Sequence, residues 1–313
     1  MNLNVRSARL CHTLVADAEL LRIAVHRVAG AMVIDLGIEV AGGLEAGRRL
    51  AEICMAGLGT VAFAAGAGTQ AAEPLVTVAT DAPVDACMAS QYAGWQIKGQ
   101  RFFAMGSGPM RAAAGREPLF DVIGRRERPS VAVGVLESRT LPPTDVVRDL
   151  AESCAVATEA LTLLVAPTAS QAGTVQVVAR SVETALHKLA ELQFDLERIE
   201  SAWGAAPLAP VARNDLAALG RTNDAILYGG EVVLWVRGDD DRLATIGPKV
   251  PSSASRDHGR PFVEIFEQYG RDFYKVDPHL FSPAVVTFQN LDTGRVHRFG
   301  QVEPAVLRAS FSD

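Results

Sequence analysis

Arg180, Glu183 and His187 fall on one face of a helical stretch of this sequence. The stretch follows VAPTAS (Val165 to Ser170) and runs through TVQVVARSVETALHKL. Val178, Val182, Ala185, Leu186 and Leu189 occupy the opposite face at about 100° per residue. An Arg and a Glu three positions apart can do one of two things. Open to solvent, they form a surface ion pair of little energetic consequence. Lining a cleft, they set a carboxylate beside a fixed cation. The carboxylate could then position or deprotonate a water while the guanidinium stabilises a developing oxyanion. The helix alone leaves both readings open, and the surface pair is the commoner use of such a pattern.

GRTNDAILYGG (Gly220 to Gly230) is a second candidate. Arg, Thr, Asn and Asp stand in succession and are joined through Ala225, Ile226 and Leu227 to Tyr228 and a Gly pair. That mixture suits a polar cluster on a buried element, as binding sites require. The structural alternative is a capped helix start, with Asn223 or Asp224 as N-cap, running into a Gly turn. In FFAMGSGPMRAA (Phe102 to Ala113) a glycine loop opens a helix, and Pro109 suits its first turn. Free N–H groups across Gly106, Ser107 and Gly108 would cradle an anion, with Arg111 adding charge; a plain turn is the alternative. The loop is neither a Walker A motif nor a dinucleotide fingerprint. Gly66-Ala67-Gly68 is equally uninformative, since it leads to Pro74 rather than to a helix. Asp239-Asp240-Asp241 after Gly238 reads as an exposed turn, because consecutive Asp side chains diverge too far to share a metal ion. The six histidines include no H-x-x-x-H pair and there is no G-x-S-x-G, so zinc- and serine-hydrolase chemistry is poorly supported.

The elements that must position these residues read as interleaved strands and helices. Helical patterns cover Asn4 to Leu21, Leu44 to Ala56, Thr144 to Cys154, Ser170 to Leu192, Phe262 to Tyr269 and Pro304 to Phe311. Strand signals cover Ala31 to Leu36, Thr60 to Ala64, Leu75 to Ala79, Val131 to Leu136, Leu161 to Val165, Val232 to Val236, Val285 to Phe288 and Val296 to Phe299. The pattern indicates an α/β or α+β architecture. At 313 residues the chain has room for two domains. The Leu141-Pro142-Pro143 junction sets the expected division at 1–140 and 141–313, with the C-terminal segment able to pack back on the first domain. The polar stretch from Gly247 to Pro261 is expected to cross the surface.

Composition narrows the function classes. A net charge of −6 with scattered basic residues gives no nucleic-acid footprint, and Arg125-Arg126-Glu127-Arg128 reads as a solvated loop. Cys11, Cys54, Cys87 and Cys154 are far apart, which argues against a disulfide framework or thiolate metal site. The uncharged run from Ile53 to Ala72 holds too many glycines for a membrane span, and Arg6, His12, Asp17 and Glu19 interrupt any signal-peptide core. The expectation is a cytoplasmic protein with a small-molecule substrate and no nucleic-acid or membrane partner.

Taken together, several blocks resemble the methenyltetrahydromethanopterin cyclohydrolases, one-carbon enzymes of methanogenic archaea and methylotrophic bacteria. The blocks are AGGLEAGRRLAEICMAGL (Ala41 to Leu58), AGWQI (Ala93 to Ile97), FAMGSGPMRA (Phe103 to Ala112), LLVAPTAS (Leu163 to Ser170) and VARSVET (Val178 to Thr184). APLAPVA (Ala206 to Ala212), GRTNDAILYGG and PFVEIFEQYGRDFYKVDPHLFSPA (Pro261 to Ala284) continue the series. They run in order along nearly the whole chain. No spacing argument above would have named this activity.

The resemblance implies reversible hydration of the methenyl bridge to formyl-tetrahydromethanopterin and a proton, without metal or redox cofactor. It implies two α/β domains with mixed sheets and a large pocket between them, assembled as a homotrimer. It moves the Arg180–Glu183 pair from the surface reading to the catalytic one, with Glu183 as water-orienting base and Arg180 as oxyanion stabiliser. Asn223, Asp224 and Tyr228 become candidates for pterin recognition, since a pterin edge needs donors and acceptors. Gly106, Ser107 and Gly108 with Thr168 and Ser170 become candidates for a polar tail or anion. One departure stands out: the archaeal pattern carries a lysine just before the AGW block, where this chain has Tyr92, with Lys98 a few residues on. Two rival functions are a formyl transferase acting on the same pterin and an inactive pterin-binding paralogue.

Overall fold

The protein is described by a computed structural model covering residues 2–66, 73–272 and 275–312. Ala67 and Gly68 of the second glycine loop, and Phe273 and Tyr274 of the 261–284 block, lie outside the described residues. In chain order the first elements are α1 (Leu3–Ala16), α2 (Ala18–Leu21), β1 (Ala24–Val28), β2 (Ala31–Asp35), α3 (Leu44–Cys54), β3 (Gly59–Ala64) and β4 (Leu75–Thr80). A π-helical segment (Val84–Gln91) precedes β5 (Trp95–Lys98), β6 (Phe103–Ser107), α4 (Met110–Ala114), α5 (Leu119–Ile123), β7 (Ala132–Glu137), α6 (Thr144–Ser153) and β8 (Leu161–Ala166). Next come α7 (Gln171–Val178), α8 (Ser181–Glu191), β9 (Ile199–Pro207), α9 (Asp215–Gly229), β10 (Glu231–Val236) and α10 (Asp240–Ile246). The last are α11 (Phe262–Gln268), β11 (Val285–Asn290), β12 (Val296–Gly300) and α12 (Pro304–Ser312).

Two compact units share the chain, and each is interrupted by the other: 1–59 with 84–176, and 60–83 with 177–313. The expected division at 140/141 falls inside the first unit. The reason is packing: α6, which follows the Pro142-Pro143 junction, buries Val146, Val147, Leu150 and Ala151 in the same core as Ala132 and Leu136 of β7.

The first unit is built on a mixed six-stranded sheet, order β1-β2-β8-β7-β6-β5, in which β2, β8 and β7 run parallel. LTLLVA of β8 is buried at every position, as a central parallel strand covered on both faces must be. Alternation divides its side chains. Leu161, Leu163 and Val165 join the core under α6, whereas Leu164 and Ala166 join the core under α1 and α3. Glu127 holds the start of α1, accepting from the backbone N–H groups of Leu3 and Asn4 and from Asn4 Nδ2. The Arg125–Arg128 segment is therefore anchored rather than a simply solvated loop. A carboxylate there satisfies helix N–H groups that would otherwise lack partners.

The second unit holds a six-stranded sheet of order β12-β11-β10-β9-β4-β3, with β10 and β11 parallel. Both units are thus mixed α/β, the fold class expected. Helices α9, α11 and α12 contribute Leu227, Tyr228, Phe262, Ile265, Phe266 and Leu307 to one apolar cluster. Two surface expectations fail here. Between Gly247 and Pro261, Val250 and Ser252 are fully buried, and the Ser252 hydroxyl donates to the Leu227 carbonyl. Asp240 is also buried: it accepts from Asn290 Nδ2 at 2.8 Å and Thr293 Oγ1 at 3.2 Å, and lies 2.8 Å from His297 Nε2, tying the β11–β12 hairpin to α10.

Candidate active site

The helical stretch that carries Arg180 and Glu183 is two helices. α7 ends at Val178, Ala179 and Arg180 make a turn in which Arg180 N–H donates to the Val177 carbonyl at 3.1 Å, and α8 begins at Ser181. Arg180 is the N-cap of α8, with φ −95° and ψ 11°, a sparsely populated region where turn ends and active-site residues sit. Glu183 lies in the first turn of α8, three positions on. The two residues remain one turn apart, as the spacing indicates, but at a helix start and not along a continuous helix.

Both are withdrawn from water, each 4% exposed. That removes the solvent-facing reading of the pair, because charges so buried persist only when they meet hydrogen-bond or charge partners. The helix N-terminus adds a positive end to the same place, which favours an anionic group there. On the same helix, His187 Nε2 lies 3.8 Å from Glu191 Oε1.

What holds α8 is its apolar face and one glycine. Val182, Ala185, Leu186 and Leu189 are fully buried. At Gly204 on β9 a Cβ would stand 2.5 Å from Ser181 Oγ and 2.9 Å from Val182 Cγ2, so only glycine lets the first turn of α8 lie against the sheet. Lys188 was not singled out by sequence. It is 1% exposed, and its ammonium donates to the His279 carbonyl. Burial lowers its pKa from 10.5 to about 8, opposed by the charge of Asp277.

The GRTNDAILYGG segment forms the C-terminal two thirds of α9 and ends on its C-cap, Gly230. The N-cap of the helix is Asn214, whose side chain accepts from Ala217 N–H at 3.0 Å, so neither Asn223 nor Asp224 caps it. Asp224 is fully buried, and its Oδ1 accepts from Phe262 N–H at 2.8 Å, at the first residue of α11. Tyr228 is buried as well; its hydroxyl donates to the Arg260 carbonyl at 2.6 Å and accepts from Gly259 N–H at 3.2 Å. Both side chains fasten the chain that leads into α11. Burial raises the Asp224 carboxyl from 3.8 to about 7; hydrogen bonds from Ser310 and Phe262 act against the rise. Asn223 is only half-buried, and its Nδ2 donates to the Leu219 carbonyl at 2.8 Å.

The Gly106–Gly108 loop is no open anion cradle. Gly106 and Ser107 are paired within the sheet, opposite Leu136 and Val135, and Gly108 N–H donates to the Ser90 carbonyl at 2.8 Å. Gly108 has φ +87°, which a side chain would strain, and a Cβ there would also press on Val135 N at 3.3 Å. Arg111 is equally occupied. It is fully buried, forms a two-pronged ion pair with Glu117, and donates to the Met88 carbonyl at 3.0 Å. Its guanidinium lies 4.7 Å from the centre of the Tyr92 ring. The cation beside Tyr92 is therefore Arg111, not Lys98. Lys98 stands exposed at the end of β5, lining a cavity of about 330 Å³ with Trp95, Arg116 and Asp149.

Thr168 and Ser170 lie in the loop beyond the C-terminal end of β8, the end of a parallel sheet where α/β proteins place ligands. Ser170 Oγ accepts from Gly173 N–H at 3.0 Å and donates to the Pro167 carbonyl at 2.7 Å, capping α7. The Thr168 carbonyl accepts from Thr174 Oγ1 at 3.2 Å. Beside β8, at the end of β2, Asp35 accepts three backbone N–H groups from Gly37, Ile38 and Glu39 at 2.7–2.8 Å, a clamp absent from the sequence reading. Its signal was local and available, an Asp two positions before a glycine at a strand end.

Known proteins similar to this chain agree with one another. The sequence profile described as "Cyclohydrolase (MCH)" matches residues 2–311. A methenyltetrahydromethanopterin cyclohydrolase from Xanthobacter autotrophicus is 49% identical over 97% of this chain and 90% of its own length. One from Methylobacterium sp. (strain 4-46) is 47% identical over 99% of this chain and 98% of its own. An archaeal relative of the same name, from Methanospirillum hungatei, is 41% identical over 99% of both.

Proposed function

The chain belongs to the cyclohydrolase (MCH) family, and on that premise we propose that Arg180 and Glu183 carry its reaction, the hydrolysis of methenyl-tetrahydromethanopterin to the formyl derivative. The methenyl carbon sits between two nitrogens and shares their positive charge, so it is already electrophilic. Glu183 orients a water and takes its proton as the oxygen bonds to that carbon. The carbon becomes tetrahedral, and Arg180 with the N-terminus of α8 stabilises the negative charge growing on oxygen. Cleavage of one carbon–nitrogen bond restores the carbonyl. The released nitrogen takes up one of the water's two protons, and the other leaves to solvent. Every atom and charge is accounted for without a metal, a hydride or an electron, and we propose that no cofactor takes part.

The observation that carries this reading is the burial of two opposite charges at one helix start, 4% exposed each. Among the α9 residues, Asn223 keeps the proposed part in pterin recognition, as the half-buried one. Thr168, Ser170 and Lys98 remain proposed contacts for the polar part of the substrate. Assembly as a homotrimer in the cytoplasm, within formaldehyde oxidation or a methanogenic pathway, belongs to the same proposal and rests on family resemblance. Among the described residues, no helix is long and apolar enough to cross a membrane. Ultraviolet decay of methenyl-tetrahydromethanopterin, beside methenyl-tetrahydrofolate, tests the activity. Loss of the first alone supports it; ligand binding without turnover of either contradicts it.

A further inference from the structure

The β1–β2 hairpin and the loop leaving it bring together three side chains that no motif connects. Ala24 stands opposite Asp35 and His26 opposite Val33, which makes His26 and Asp35 diagonal neighbours on one face of the pair. One ligand atom from each of His26, Asp35 and Glu39 lies within 4.8 Å of the others. His26 Nε2 and Glu39 Oε2 are 3.9 Å apart. Asp35 is fully buried and cannot turn, since its two oxygens hold the three backbone N–H groups already described. His26 Nε2 is shielded from solvent and has no hydrogen-bond partner. The ring is nonetheless 29% exposed, through its other edge. A buried ring nitrogen facing two carboxylates, with nothing bonded to it, is an incomplete arrangement.

We propose that His26, Asp35 and Glu39 bind a divalent transition-metal ion, with Zn²⁺ the best match. One imidazole nitrogen and two carboxylates suit a borderline ion better than Ca²⁺ or Mg²⁺, which favour all-oxygen sets. Bonds of about 2.0–2.2 Å require the three atoms to close by about 1 Å. The Glu39 side chain, 63% exposed, makes that adjustment, whereas Asp35 stays fixed. The ion cross-links β1 to the 36–39 loop. That loop packs on the cap of α7: a Cβ at Gly37 would stand 2.9 Å from Ser170 Oγ. The role is structural, and the proposal does not depend on the assignment of Arg180 and Glu183.

Calorimetric titration of chelator-stripped full-length protein with Zn²⁺ at pH 7.5, and with Co²⁺ followed by absorption, tests it. One saturable equivalent is expected, weakened at least tenfold by His26→Ala and by the exposed, fold-neutral Glu39→Gln, and unchanged by His12→Ala. The Co²⁺ spectrum is expected to lack thiolate charge-transfer bands. No saturable binding, or binding that survives both substitutions, overturns the proposal.

Discussion

Asp224→Asn is expected to stabilise the protein, and to do so more strongly as pH rises. The carboxyl lies under Phe262 at the start of α11 with no solvent contact, and burial lifts its pKa from 3.8 to about 7. A raised carboxyl keeps its proton in the fold while the unfolded chain releases it. The fold is therefore at no disadvantage below pH 3.8 and loses stability as pH climbs to about 7, after which the cost levels off. The slope is about 1.4 kcal/mol per pH unit, so the wild type should lose about 2–3 kcal/mol between pH 5 and pH 8 through this group. Asparagine keeps an oxygen for Phe262 N–H and removes the titration. Urea unfolding of both proteins at pH 5, 6, 7 and 8 gives the difference directly, with tryptophan emission as the probe. A difference that stays constant across that range refutes the buried-acid reasoning. A difference that shrinks with rising pH reverses its sign and refutes it more firmly.

Four further outcomes follow from the same contacts. Gly204→Val should push the first turn of α8 off β9 and cut turnover by about 10², the cost of roughly 1 Å of misplacement, with circular dichroism unchanged; wild-type turnover would show that the close approach does not position the pair. Glu117→Ala leaves Arg111 buried without its counter-charge and should cost about 3–5 kcal/mol in denaturant unfolding. Lys188 has a folded pKa of about 8 against 10.5, so its fold is penalised below pH 8 and recovers as pH rises to 10.5; Lys188→Met should abolish that rise in thermal stability. Chelator treatment should leave turnover of Glu39→Gln, which lacks a ligand of the proposed structural ion, unchanged by substrate absorbance, and a loss restored by metal in that variant would contradict the cofactor-free mechanism.

The sheets were largely legible because their central strands are continuous apolar runs, as at LTLLVA and EVVLWV. Strands β1, β5, β6 and the central β9 were not, since AVHRV, WQIK, FAMGS and IESAWGAAP are short or interrupted by polar and small residues and owe their conformation to neighbours. The break at Ala179-Arg180 escaped notice for a different reason. It contains neither Gly nor Pro, and the apolar period continues across it. Spacing located Arg180 and Glu183, but their burial is a tertiary fact that periodicity cannot supply. Polar clusters carry the opposite ambiguity. Asp224, Tyr228 and Arg111 look like ligand-binding groups in sequence, and sequence could not show that each also hydrogen-bonds a backbone group within the fold. The His26–Asp35–Glu39 cluster has no local signature, because a hairpin register creates it.

In the proposed reaction Glu183 activates the water and Arg180 stabilises the oxygen. The most direct measurement is the ultraviolet decay of methenyl-tetrahydromethanopterin catalysed by Glu183→Gln and Arg180→Met beside the wild type, with substrate affinity followed by Trp fluorescence. A fall in kcat of about 10² or more is expected in each variant, with affinity and circular dichroism nearly unchanged. A Glu183→Gln enzyme that turns over at close to the wild-type rate would contradict it.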